Sequence, residues 1–210
     1  MMKTNGSRWL PILMFWLAAL FSPWVQAEAP VILVFGDSLS AAYGMPAEQG
    51  WVSLLQRRLA ERGYPQRIVN ASISGETTSG GLSRLPAALK QHCPALVILE
   101  LGANDGLLGQ PPMTMSHNLA RMIELAQQAN ARVLLAEMRI PPNYGPLYTQ
   151  KFQAAFGELA GKYNISLIPF ILNGVSGNPT LIQDDGLHPR AEAQARILEN
   201  VWPTLEAALK

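Results

Sequence analysis

The stretch Val31-Ile-Leu-Val-Phe-Gly-Asp-Ser38 is an apolar run that ends at a glycine and continues with an acid and a serine. Its length and β-branched side chains are typical of a parallel strand that is buried on both faces. Open α/β sheets bind ligands beyond the carboxyl ends of their strands. The pattern therefore predicts Ser38 at that edge, as a candidate nucleophile. Gly-Asp-Ser is also common turn composition, so helix capping by Asp37 or Ser38 is the alternative.

Outward from this strand, apolar runs alternate with segments of helical periodicity. Further strands are predicted at 67–70, 95–101, 132–136 and 165–170. Helices are predicted at about 51–62, 82–92, 114–130 and 148–163, with a last helix from about Pro189. Three prolines and a glycine within 140–146 argue against regular structure there. The alternation, without an internal repeat or linker, predicts one domain with a parallel sheet and helices on both faces.

Residues 1–27 are predicted to be a secretory signal peptide. Lys3 and Arg8 form a basic leader, 10–21 is an apolar core shorter than a membrane span, and Val25-Gln-Ala27 has the small-x-small pattern of a cleavage site. Cleavage after Ala27 leaves one domain, 28–210, with no stable membrane anchor. Such a protein is expected in the periplasm, or outside a cell that has no outer membrane. An uncleaved N-terminal anchor is the alternative.

The net charge indicates which binding partners are expected, and the cysteine content indicates whether disulfides can form. Removal of residues 1–27 takes away two basic residues and no acidic one, which leaves a net charge of −1. Without a cluster of Lys or Arg, neither nucleic acid nor an anionic membrane surface is an expected partner. Cys93 is the only cysteine, so no intramolecular disulfide is expected, and we predict a small buried thiol there. Nothing in the sequence requires more than a monomer.

A serine nucleophile needs a base within hydrogen-bonding distance and a group that orients this base. His188, in Asp184-Asp185-Gly-Leu-His188-Pro189, is the one histidine with an acid at a useful spacing. Asp185 precedes it by three residues, so one tight turn would bring the carboxylate to the imidazole. Asp184 is the rival carboxylate, although a spacing of four requires a different turn.

The other candidate side chains have structural explanations. His92 follows a helix end, where a cation suits the helix dipole, and His117 lies near the start of a helix. Ser40 is predicted to be a helix-capping or solvent-facing hydroxyl.

Acyl transfer also needs hydrogen-bond donors for the developing oxyanion. The candidates are the backbone N–H groups of Ser38 and Gly75 and the side-chain amide of Asn104. Gly75 alone is explained equally well as a turn residue with positive φ, and Asn104 as a turn cap. Their occurrence together, after consecutive predicted strands, favours a common site.

Four blocks of this sequence resemble those of the SGNH (GDSL) hydrolase family, in the family's order: Gly36-Asp-Ser-Leu39, Asn70-Ala-Ser-Ile-Ser-Gly75, Gly102-Ala-Asn-Asp105 and Asp185-Gly-Leu-His188. The resemblance covers all of the chain after the predicted signal peptide. It implies a three-layer α/β/α fold with a five-stranded, flavodoxin-like parallel sheet. Its implied roles are Ser38 as nucleophile, His188 as base, Asp185 as the group that orients it, and Ser38, Gly75 and Asn104 as the oxyanion hole. Ser40 departs from the Gly-x-Ser-x-Gly motif of ordinary α/β-hydrolases.

Within the family, the sequence resembles exported bacterial enzymes with acyl-CoA thioesterase, protease and lysophospholipase activities. This resemblance implies hydrolysis of small-molecule fatty-acyl esters and thioesters, aryl esters and lysophospholipids among them, without a metal or organic cofactor. Two apolar loops, 107–113 and 140–147, are expected to line an acyl groove, with Leu107, Leu108, Pro141 and Tyr144 as substrate-binding candidates. An alternative is a short-chain carbohydrate acetylesterase of the same family. A non-catalytic binding protein is disfavoured, because every expected catalytic position is occupied.

Overall fold

The fold is a three-layer α/β/α sandwich around a five-stranded, all-parallel sheet, as expected from the sequence. The computed structural model describes Met2 and residues 29–210. Apart from Met2, the predicted signal peptide lies outside the described residues. The strand order is β2-β1-β3-β4-β5, which is the flavodoxin-like order. The strands are β1 Val31–Gly36, β2 Arg67–Asn70, β3 Leu96–Glu100, β4 Arg132–Ala136 and β5 Ser166–Ile168.

Residues 29–210 contain six α-helices, and all but the short α3 cover the two faces of this sheet. One layer contains α1 and α6, which pack on each other, and the other contains α2, α4 and α5, which contact one another in that order. The helices are α1 Trp51–Glu61, α2 Thr78–His92, α3 Ala103–Leu107, α4 Pro112–Gln128, α5 Pro146–Tyr163 and α6 Gln194–Leu209. Among the described residues, no helix has the length and apolar character needed to cross a membrane.

Burial explains why the central strands have uninterrupted apolar sequences. Every residue of β1 and β3 is buried, since helices cover both faces of the sheet there. The edge strand β2 is exposed at both ends and only half-buried between them. The buried apolar side chains of the sheet and of the helices on both of its faces join in one hydrophobic core. Around this single core, the parallel strands present their carboxyl ends at a common edge.

Two helix boundaries differ from the predictions. Helix α2 begins at Thr78 rather than near residue 82, because the Thr77 side chain caps it by accepting a hydrogen bond from the Gly80 N–H. The last helix begins at Gln194 rather than at Pro189. Pro189 instead forms an antiparallel bridge with Ile182, so the chain is still extended there.

Two local predictions were wrong. The proline-rich segment after β4 contains a short 3₁₀ turn, Pro142–Tyr144, because proline is tolerated in a first helical turn. Cys93 is exposed rather than buried. It ends α2 in the left-handed conformation, with φ of 42°, so its position is set by the surface turn that leaves the helix.

Candidate active site

Ser38, His188 and Asp185 lie in a hydrogen-bonded row, although 150 residues separate the serine from the histidine. Ser38 follows β1 and is largely buried. Its Oγ lies 2.8 Å from His188 Nε2, and His188 Nδ1 lies 2.6 Å from Asp185 Oδ2. Because an ionised carboxylate only accepts, Nδ1 carries the ring proton of a neutral imidazole and Nε2 accepts from the Ser38 hydroxyl.

A tight turn holds Asp185 in place. Its Oδ1 accepts the backbone N–H groups of Leu187 at 2.9 Å and His188 at 3.0 Å, while its Oδ2 meets the imidazole. Desolvation, the largest influence, raises the pKa of Asp185, but these hydrogen bonds together with the charge of His188 outweigh it. The result is a pKa lowered to about 2. Asp185 is therefore ionised at neutral pH.

The remaining acid and histidine candidates lie elsewhere. The Asp184 carboxylate is fully exposed and pairs with Arg190 Nη2 at 2.5 Å, so it does not contact the imidazole. His92 is the last residue of α2, and His117 lies within α4; neither lines the cavity beside Ser38.

Tyr43 covers one face of the His188 imidazole, a contact that sequence reasoning missed. The two ring centroids are 4.2 Å apart, with an interplanar angle of 35°. The Tyr43 N–H donates to the Ser38 carbonyl at 3.3 Å, and Gln183 Nε2 donates to the Tyr43 carbonyl at 2.9 Å. Tyr43 thus belongs to the same turn as the serine and limits rotation of the ring. No local pattern in the sequence indicates this contact.

The oxyanion candidates differ in how free their donors are. Within residues 29–210, neither the Ser38 N–H nor the Gly75 N–H donates to a protein acceptor. Asn104 Nδ2 donates to the Glu76 carbonyl at 2.9 Å and to Asp37 Oδ2 at 3.2 Å. Asn104 therefore connects the loop that contains Gly75 with the turn that contains Ser38. Ser38 and Asn104 line the cavity described next, whereas Gly75 is exposed beside it.

A cavity of about 510 Å³ opens at Ser38. Its polar end contains Ser38, Asn104 and His188, and most of its remaining wall is apolar: Leu39, Leu107, Met138, Ile140, Pro141, Phe170, Leu172 and Ile182. Of the four predicted substrate-binding residues, Leu107 and Pro141 line this cavity and Leu108 and Tyr144 do not. Leu108 is exposed, and the Tyr144 hydroxyl donates to the Leu107 carbonyl at 2.7 Å.

The predicted 140–147 loop supplies only part of this wall. Met138, Phe170, Leu172 and Ile182 come from the segments after β4 and β5, and sequence reasoning missed them. Each resembles an ordinary core residue in the sequence. They line the cavity only because the segments that follow β4 and β5 come together in the folded chain.

A buried polar cluster, consisting of Asp37, Ser40 and Glu100, lies next to the Ser38 turn. The prediction that Ser40 caps a helix or faces solvent was wrong: its side chain is buried, and its Oγ donates to Glu100 Oε2 at 2.5 Å. Burial raises the pKa of Asp37 to about 6 and the pKa of Glu100 well above its usual range. Glu100 was missed because it follows four apolar residues in a strand.

No group of three or more His, Cys, Asp or Glu side chains is placed to hold a metal ion in the part of the chain that the structure describes. Ser38, His188 and Asp185 bring a hydroxyl group, an imidazole and an ionised carboxylate into hydrogen-bonding contact.

Comparison with known proteins gives consistent matches. The model of the GDSL-like Lipase/Acylhydrolase family matches residues 34–196. Esterase TesA of Pseudomonas aeruginosa is 53% identical over 184 residues, which are 88% of this chain and 92% of that protein. Thioesterase 1/protease 1/lysophospholipase L1 of Escherichia coli K12 is 41% identical over 196 residues, 93% of this chain and 91% of that one. A crystal structure of TesA, 52% identical, superimposes with a TM-score of 0.83 over 86% of this chain and 99% of that chain.

Proposed function

This chain belongs to the GDSL-like lipase/acylhydrolase family and is a hydrolase, and on that premise we propose that it cleaves fatty-acyl esters and thioesters through a Ser38-His188-Asp185 triad. The observation that carries the proposal is the row of hydrogen bonds from Ser38 Oγ through the imidazole to Asp185. Its two contacts, 2.8 and 2.6 Å, are within the distance that proton transfer requires.

In the first step, Ser38 Oγ attacks the acyl carbonyl carbon while its proton moves to His188 Nε2. The imidazolium that forms is stabilised by the ionised Asp185. Negative charge develops on the carbonyl oxygen, which receives hydrogen bonds from Ser38 N–H, Gly75 N–H and Asn104 Nδ2. The first two donors are free, and Asn104 exchanges its longer bond, to Asp37 Oδ2, for one to the oxyanion.

Collapse of this intermediate breaks the bond to the leaving alcohol or thiol, which takes the proton from His188. Water then attacks the acyl-enzyme, with His188 as base again, and the carboxylic acid leaves while Ser38 regains its proton. Every proton therefore passes through one imidazole nitrogen. Tyr43, packed on the ring, keeps that nitrogen directed at Ser38 through both steps.

The cavity supports a fatty rather than a short acyl group. Its volume of about 510 Å³ is far more than an acetyl group would fill, and its wall beyond the polar end is mostly apolar. Burial of an acyl chain contributes about 0.8 kcal/mol for each CH₂ removed from water. Longer chains should therefore bind better until the cavity is full.

The proposed setting is the periplasm, reached through a signal peptide that is cleaved after Ala27. The triad, the oxyanion donors and the cavity all come from one chain, so we propose that the enzyme acts as a monomer. Small-molecule acyl esters and thioesters are its proposed substrates.

The experiment is hydrolysis of p-nitrophenyl esters from acetyl to palmitoyl by the mature protein, with Ser38→Ala measured in parallel. We expect kcat/KM to rise with chain length and the variant to lose activity by about a millionfold, as in other serine hydrolases. A rate confined to the acetyl ester would favour the carbohydrate acetylesterase instead. Equal rates for parent and variant would refute the proposed mechanism.

A further inference from the structure

Glu100, the last residue of β3, is fully buried next to the Ser38 turn, and the mechanism above gives it no role. Its Oε2 accepts hydrogen bonds from Ser40 Oγ at 2.5 Å and from the Asp37 N–H at 3.3 Å. Its Oε1 is buried and has no hydrogen-bond partner among residues 29–210. An unpartnered buried oxygen is unfavourable, and far more so when it carries charge.

The register of the sheet explains how this carboxyl group reaches the site. Gly36 of β1 is the direct partner of Glu100 of β3, and paired residues project to the same face. A Cβ at position 36 would collide with the Glu100 carboxyl group and would lie 3.0 Å from Ser40 Oγ. The glycine that precedes Asp37 and Ser38 therefore leaves the space that the Glu100 carboxyl group occupies.

The surroundings of Glu100 favour its neutral form. Burial and the charge of Asp37 are the main causes of its raised pKa, and the interaction between the two carboxyl groups raises the pKa of Glu100 further while it lowers that of Asp37. The other charged groups that act on this pair are Asp105 of α3 and His188, and both act on Asp37. Of the two carboxyl groups, these influences favour the proton on Glu100, whose buried Oε1 would otherwise be an unpartnered charged oxygen.

We propose that Glu100 is a positioning residue, held as a neutral carboxylic acid, that shares its proton with Asp37 and fixes the turn carrying Ser38. The proposal rests on the function proposed above. Asp37 remains ionised and accepts the Leu39 N–H at 3.0 Å and Asn104 Nδ2 at 3.2 Å. The pair thereby connects the nucleophile turn to the Asn104 amide.

A neutral acid suits this position better than a carboxylate. The oxyanion forms at Ser38, and a second buried negative charge so close would oppose it in a medium that screens charge poorly. A neutral carboxyl group holds Ser40 and the Asp37 N–H through the same oxygen without that repulsion. The hydrogen bonds are kept, and the opposing charge is absent.

The protonation state is tested with Glu100→Gln, which is isosteric and uncharged, and with Glu199→Gln as a matched control on the exposed side of α6. Infrared spectra at pH 7 should show the C=O band of a protonated carboxylic acid in the parent and in Glu199→Gln, and its loss in Glu100→Gln. Absence of the band in the parent would overturn the neutral form.

The pH dependence of unfolding gives a second readout. A raised pKa means that the folded state binds more protons than the unfolded chain, so stability falls as pH rises above the unfolded value of about 4.5. Proton release on unfolding should be larger in the parent than in Glu100→Gln by up to about one proton. Identical proton release in the two proteins would contradict the proposal.

The positioning role is tested by Glu100→Ala and by Ser40→Ala, which removes only the hydroxyl that holds Oε2 and serves if the first variant does not fold. We expect each to lower kcat, by about 10- to 100-fold for Glu100→Ala, with KM unchanged, whereas Glu100→Gln stays within about threefold of the parent. Unchanged kcat in every folded variant would overturn the role. If Ser38→Ala were as active as the parent, the proposed function would fail while the infrared result for Glu100 would stand.

Discussion

At the scale of single residues, Asp184 and Asp185 show how neighbouring carboxylates acquire different properties. Asp185 accepts two backbone N–H groups and the His188 ring, and its pKa is lowered to about 2. Asp184 is fully exposed and forms an ion pair with the Arg190 guanidinium. One peptide unit thus separates a carboxylate that hydrogen-bonds to an imidazole from one that is fully exposed to solvent.

We therefore expect Asp185→Ala to lower kcat by about 10⁴-fold, the scale seen when a triad acid is removed. Asp184→Ala should leave kcat within about twofold, since an exposed ion pair contributes little. Steady-state hydrolysis of one p-nitrophenyl ester by both variants decides the assignment. A larger loss in Asp184→Ala would show that the orienting acid is misassigned.

Asn104 is the one proposed oxyanion donor that a substitution can remove. Asn104→Ala should lower kcat by about 100- to 1000-fold, the effect of losing a single donor, with little change in KM. Asn200→Ala removes an amide on α6 that donates to the Ile171 and Asn173 carbonyls, and it serves as the control for folding. A loss in Asn104→Ala as large as that in Ser38→Ala would imply a role beyond one donor.

At the scale of elements, the short helix α3 places Asn104 by packing closely on α5 and the proline-rich loop. A Cβ at Gly106 would lie 2.5 Å from Ile140 Cγ2 and 2.7 Å from the Phe152 ring. Since Phe152 is buried and Ile140 lines the cavity, neither neighbour moves freely. The position of α3 therefore depends on a residue without a side chain.

Gly106→Ala should destabilise the protein by about 1–3 kcal/mol, because it overpacks this contact, and should alter the acyl-length preference through Ile140. Urea unfolding and the ester series measure the two effects. Gly157→Ala is the matched control: it lies on the exposed side of α5 with open space at its Cβ, so it should stabilise by up to about 1 kcal/mol. Equal stabilities for the two variants would contradict the packing argument.

At the scale of the whole molecule, β1 runs through a single core. Leu33 is fully buried in that strand, with β2 on one side and β3 on the other. The two helical layers and the sheet share this core, so the loss of packing at Leu33 should destabilise the whole fold.

Leu33→Ala should lower the free energy of unfolding by about 2–5 kcal/mol, through lost burial and the cavity left behind. Leu147→Ala, at an exposed position, should change it by less than about 0.5 kcal/mol. Denaturant unfolding followed by circular dichroism compares them. A small effect at Leu33 would be inconsistent with a shared core.

Much of the fold was predictable because its signals are local. An apolar run that ends at glycine marks a strand end, as at Gly36 and Gly102, and helical periodicity located most helices to within a few residues. The errors had specific causes: the Thr77 side chain starts α2 earlier than its periodicity indicates, and a bridge to Ile182 keeps Pro189 extended. The contact between Asp185 and His188 could also be predicted from the sequence, because the two residues are three apart and lie in one turn.

The sequence by itself thus determined the order of strands and helices, the polar residues at the strand ends and the Asp185–His188 turn, because each depends on residues close along the chain. Only the tertiary structure decided that Tyr43 covers the imidazole, that Glu100 lies buried beside Ser38, and which segments form the cavity wall. These contacts join residues that are far apart in sequence. They depend on sheet register and packing, which a local sequence pattern does not reveal.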